Sequence, residues 1–145
     1  MFGTTPRRVR EVVQRVRELG GAVVAAHPYD KTIDRPSGDV IFTLEGLSAI
    51  EGLCARRKGP ANDLAVEAAD HMSLPCVGGS GAHDALEDVG RAATLFREPV
   101  ASEADLVRQL RAGHVFCVAL GVTPQPAGRG DRDRGERRRG GRERR

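Results

Sequence analysis

Leu74-Pro75-Cys76-Val77-Gly78-Gly79-Ser80-Gly81-Ala82-His83-Asp84 reads as a short buried strand that runs into a glycine-rich turn ending on a histidine. Pro75 to Gly78 are apolar or small, as a strand covered on both faces requires, and Gly78, Gly79 and Gly81 permit backbone angles and close approaches that a side chain forbids. A turn of this kind at a strand end opens a site for a ligand or a metal.

Upstream, Ala22-Val23-Val24-Ala25-Ala26 is an unbroken apolar run, suited to a parallel sheet covered on both faces, and it delivers His27-Pro28-Tyr29 at its carboxyl end. Before it, Pro6 stands at a first helical position behind Thr5. Val9, Val12, Val13, Val16 and Leu19 then recur at helical spacing until Gly20-Gly21. The Arg and Glu residues of this helix fall mostly on its other face, as solvated charge does. Asp30 to Asp39 is a polar loop, and Val40 to Leu44 fits a short helix or a strand. Leu47 to Leu53 predicts a second buried strand with one charge, Glu51, leading to Arg56-Arg57-Lys58-Gly59-Pro60. Pro60 opens a helix with Ala61, Leu64, Ala65, Ala68 and Met72 as its apolar stripe.

Beyond His83 the sequence predicts a strand from Ala92 to Phe96 and a helix opened by the Ser102-Glu103-Ala104-Asp105 box and closed by Gly113. A last strand follows from Val115 to Leu120. Strands and helices therefore alternate through residues 1–121, the pattern of α/β layering with a mostly parallel sheet. Residues 122–145 form a basic tail expected to be disordered: from Gln125 onward it holds nine arginines against four acids, with Ala127 its one aliphatic residue, and cannot bury a core. Without those twenty-one residues the chain carries fourteen basic against sixteen acidic residues, so the tail sets the net positive charge.

Its interspersed acids and lack of aromatics argue against strong nucleic-acid binding through the tail. No run of about eighteen apolar residues exists, and the first twenty residues lack a signal peptide's apolar centre. The expectation is a cytoplasmic protein with no membrane partner. Cys54, Cys76 and Cys117 are odd in number and far apart, and are expected as buried, reduced thiols.

In α/β folds ligands sit outside the carboxyl ends of parallel strands, where both His27 and His83 fall. Imidazoles suit zinc, iron or manganese, and two of them with a carboxylate and a water make an open catalytic shell. Arg56 and Arg57 leave a strand's carboxyl end and are candidates to hold a phosphate. His71 and His114 read as ordinary helix-end and strand-start residues.

The order His27-Pro28 after an apolar strand, Ile50-Glu51-Gly52, Asn62 before an Ala-rich helix to Ala69, Gly79-Ser80-x-Ala82-His83, Val89-Gly90 and Thr94 to Phe96 resembles the later half of the polymerase and histidinol phosphatase (PHP) family of metal-dependent phosphoesterases. The resemblance runs from about Arg8 to Leu120. It implies the C-terminal part of a distorted (β/α)7 TIM-like barrel, hydrolysis of a phosphate ester on a phosphorylated small molecule or nucleotide, and two or three divalent metal ions (Zn, Mn or Fe). His27 and His83 would be metal ligands, and Glu51 a supporting acid behind them.

Gly81 stands where the family has an aspartate. Asp84, three residues on, and Asp30, in the loop after His27, are possible substitute ligands, and a glycine at 81 is expected to leave the cavity room for Asp84. The family's earlier His-x-His strand has no counterpart here, and a complete barrel takes about 250 residues. The resemblance therefore implies a phosphoesterase whose site is incomplete in this chain, with a missing N-terminal half or self-association to cover open sheet edges. The alternative is a non-catalytic remnant, a PHP-associated module that binds a partner.

Overall fold

The computed structural model describes residues 6–57, 60–83 and 86–120. Asp84 and the 122–145 tail lie outside them. Helix α1 (Pro6–Glu18) leads to strand β1 (Val24–Ala25), and a six-residue 3-10 helix (Gly38–Thr43) settles the segment that sequence left open between helix and strand. Strand β2 (Ala49–Cys54), helix α2 (Ala61–His71) and strand β3 (Cys76–Gly79) follow. After a 3-10 turn (Leu86–Asp88) come β4 (Ala92–Phe96), α3 (Glu103–Ala112) and β5 (Val115–Ala119).

Strands β1, β2 and β3 form a parallel sheet in that order, with Val24 opposite Ala49 and Ile50 opposite Cys76. The β2–β3 register slips between Glu51 and Leu53, so Gly52 sits in the irregularity. Strands β4 and β5 pair antiparallel as a second, two-stranded sheet, from Ala92 opposite Ala119 to Phe96 opposite Val115. Among the described residues the chain is thus mixed α/β with two small sheets and no closed barrel, where a mostly parallel barrel segment was expected.

The reason for the reversal lies in α3. Ser102 is extended (φ −146°) and its hydroxyl accepts the Asp105 N–H, which sets the start of the helix six residues after β4 ends. The helix then comes back to where the chain left. Gln109, 1% exposed in its last turns, takes the Glu98 N–H on Oε1 (2.9 Å) and donates from Nε2 to the Glu98 carbonyl (2.7 Å). Gly113 closes the helix in the left-handed region (φ 70°), and β5 begins beside the end of β4 and can only run backwards.

The core gathers Val13 of α1, Ile41 and Leu44 of the 3-10 segment, Leu47, Ile50 of β2, and Ala65, Ala68 and Ala69 of α2. The buried face of α2 is its alanines, which let it lie close on β2, while Leu64 stays partly exposed. Of the α1 stripe, Val13 is buried and Val9 half-buried. Val12 and Leu19 are exposed, Leu19 because it lies past the helix end. Cys54 is buried as expected, whereas Cys76 and Cys117 are half-buried.

The two sheets meet at Gly78. A Cβ there would lie 2.5 Å from the Ala93 carbonyl oxygen, so only glycine permits this approach. Thr94 closes the joint: its hydroxyl accepts the Gly78 N–H (3.0 Å) and donates to the Gly78 carbonyl (2.9 Å). One side chain thereby stands in for a neighbouring strand's backbone. Thr94→Val keeps the shape and removes both bonds, and the expected loss is about 1–3 kcal/mol by chemical denaturation. A loss below about 0.5 kcal/mol would show that water satisfies Gly78 equally well.

Candidate functional site

The carboxyl ends of β1, β2 and β3 open on one edge of the parallel sheet. At the end of β1, His27 adopts φ 29°, a left-handed value that a β-carbon disfavours, and it precedes Pro28. Such a conformation costs on the order of 1–3 kcal/mol and persists where the surroundings hold it. Glu51 of β2 holds it: its Oε2 accepts the His27 backbone N–H at 2.8 Å. The other carboxylate oxygen, Oε1, lies 2.9 Å from where a Cβ on Gly79 would stand, so the glycine of β3 leaves the space this oxygen uses. The His27 imidazole presents a buried Nδ1 without a hydrogen-bond partner.

Below His27 a charged strut ties the loops together. Asp30, 2% exposed, accepts from the Thr32 N–H (2.9 Å) and hydroxyl (2.7 Å). Arg57 Nε approaches Asp30 Oδ2 at 2.7 Å without hydrogen-bond alignment, while its Nη1 donates to the Thr32 hydroxyl (2.9 Å). The Thr32 hydroxyl's hydrogen bond above all, then its N–H and the nearby Arg57 and His27, hold the Asp30 carboxyl below the usual carboxylate range against the opposing effect of burial. Arg57 is therefore engaged within the protein. Arg56 is exposed, its Cβ beside Gly81.

The end of β2 is finished by Asn62 of α2. Its side-chain oxygen takes the Cys54 N–H (3.1 Å) and its amide donates to the Cys54 carbonyl (3.2 Å). Burial, and next the Glu51 charge, push the Cys54 thiol up. Gly81 has φ 66°, and a Cβ on it would fall 2.9 Å from both Cys54 Sγ and Arg56 Cβ. A side chain at residue 81 would therefore meet Cys54 and Arg56. His83 is exposed at the end of the turn.

The sequence-based candidates divide accordingly. His27, Glu51 and Arg57 come together at the strand ends, joined by Asp30, which the sequence offered as a carboxylate within reach of the site, and by Thr32 and Cys54, which it did not mark as site residues. The Asp30-Lys31-Thr32 turn, in which an aspartate bonds its own backbone two residues on, was the available signal. Among the described residues no group of three or more His, Cys, Asp or Glu side chains converges to hold a metal. The unpartnered Nδ1 of His27 is one prepared donor, but Glu51 already spends an oxygen on backbone, so these residues do not by themselves fit a complete metal centre.

The family model described as PHP-associated matches residues 59–115, a stretch that takes in α2, β3, β4 and α3, and marks the C-terminal region as PHP-related. Neither the curated proteins nor the solved structures searched yield a match to this chain. Among the described residues no helix is long and apolar enough to cross a membrane.

Because the folded state lowers the Asp30 pKa, its stabilising contribution is complete above the ordinary carboxylate value of about 4 and is lost as pH falls through the lower folded value. Asp30→Asn should melt below the wild type at pH 7, and the gap should persist down to about 4 and close only as pH falls further, toward the lowered folded value. A gap that stays constant from neutral to strongly acidic pH would show that the Asp30 charge contributes nothing.

Proposed function

We propose that this chain is the C-terminal part of a PHP-type metal-dependent phosphoesterase domain, a segment of its TIM-like barrel, which donates ligands to a site completed by groups beyond its described residues. The observation that carries the reading is His27: a strained histidine at a parallel strand's carboxyl end, fixed through its backbone by Glu51, with a buried ring nitrogen left unpartnered. The PHP-related region at 59–115 supports it, since that region contains the Gly79 to His83 turn.

In this reading His27 and His83 are the chain's metal donors, for zinc, manganese or iron. Divalent ions would supply charge neutralisation of a phosphate ester and an activated water. The chain's own part is narrower. Glu51 orients His27, the Asp30–Arg57 strut fixes the loop that follows it, and exposed Arg56 is available to an incoming phosphate. Without the remaining carboxylates and imidazoles the shell is incomplete, so the chain alone is expected to lack phosphatase turnover.

A second reading, a non-catalytic PHP-associated module that binds a partner, is favoured by the crowding at Gly81, where an aspartate would meet Cys54 and Arg56.

Titration of the chain with Mn²⁺ under NMR separates the two. The ligand reading expects His27 and His83 ring signals to broaden at the lowest metal concentration, with His71 and His114 unaffected and no hydrolysis of a generic phosphomonoester. Uniform broadening of all four histidines would leave the partner-binding module. Robust turnover with two tightly held metals per chain would overturn the claim that the site is incomplete.

A further inference from the structure

The three cysteines are not equivalent. Cys54 is buried at the site, whereas Cys76 of β3 and Cys117 of β5 are half-buried and both line an open cavity of about 460 Å³ together with Leu74, Pro75, Gly113 and Phe116. Two glycines make room for them. A Cβ on Gly52 would lie 2.6 Å from Cys76 Sγ, and a Cβ on Gly78 would lie 3.3 Å from Cys117 Cβ. Cys76 and Gly78 are two residues apart on β3 and so point to one face, the face that Cys117 meets from β5. Burial first, and then the neighbouring Cys117 thiol, push the Cys76 thiol up.

We propose that Cys76 and Cys117 form a modification site at which a peroxide oxidises the two thiols to an intramolecular disulfide that joins β3 to β5. One thiolate attacks a peroxide oxygen, the O–O bond breaks, and the sulfur becomes a sulfenic acid while the departing hydroxide takes up a proton as water. The second thiolate attacks that sulfur, the S–S bond forms, and the S–OH oxygen leaves as a second water. The sum is two thiols and one hydrogen peroxide giving a disulfide and two waters. The cavity admits a reagent of this size. With its pKa raised, Cys76 is less often a thiolate at neutral pH, so the reaction accelerates as pH rises.

The consequence is mechanical. The bond would fasten the antiparallel β4–β5 pair to the parallel sheet three residues before Gly79, where the turn to His83 begins. Oxidation would thus stiffen the joint that Thr94 already bridges at Gly78.

The test is peptide mapping of the full chain after treatment with hydrogen peroxide under native conditions. Cleavage after Lys58, Arg91 and Arg111 puts each cysteine on its own peptide. The expected result is a monomer that has lost two hydrogens, with the Cys76 and Cys117 peptides linked and Cys54 still free. Cys54→Ser should leave the link in place, and Cys117→Ser should stop at a sulfenic acid trapped by a dimedone probe or proceed to higher oxidation. Mapping of the unaltered chain decides the matter even where a variant fails to fold. A link that involves Cys54, dimers only between chains, or no disulfide while both thiols accept a small alkylating reagent would each overturn the proposal.

Discussion

Every backbone N–H and C=O removed from water needs a partner, and strands as short as these leave many without a ladder to supply one. Among the described residues Glu51, Asn62, Thr94 and Gln109 meet that need, as the Ser48 hydroxyl does for the Val23 N–H. Glu51 takes the His27 N–H, Asn62 takes both polar groups of Cys54, Thr94 both of Gly78, and Gln109 both of Glu98. Each sits where a strand ends or where two sheets fail to pair. Together they fix the carboxyl edge of the parallel sheet, the joint between the sheets and the return of α3.

This constraint also explains the glycines that crowd the same region. Gly78 exists because the Ala93 carbonyl approaches too closely for a Cβ, and Gly79 leaves the space that Glu51 Oε1 uses. Gly81 is different: its left-handed φ turns the chain toward His83, and a side chain there would meet Cys54 and Arg56. Asp in place of Gly81 would have to displace one of them, so restoring the PHP family's aspartate is not a local change in this chain.

Much of the architecture was legible in the sequence because it rests on local chemistry. The Ser102 to Asp105 box and Gly113 mark the ends of α3, and the Ala92 to Phe96 strand stands where the pattern puts it. The direction of β5 was not legible, since it depends on Gln109 reaching Glu98 across a turn that no periodicity records. At the site, the strand ends announced His27 and Glu51, while His83 stands exposed at the end of its turn. The engagement of Arg57 by Asp30 and Thr32 follows from a contact between residues 25 and more apart, which sequence spacing cannot show.

The central claim is that Glu51 builds the strand-end site by holding the strained backbone of His27. Amide hydrogen exchange at His27 tests it directly, with the Ile50 amide, which bonds the Pro75 carbonyl within the sheet, as the internal reference. In Glu51→Ala the His27 amide should exchange at least about tenfold faster than in the wild type, the scale of a lost hydrogen bond to a charged group, while Ile50 keeps its protection. Equal protection of His27 in the two proteins would contradict the account.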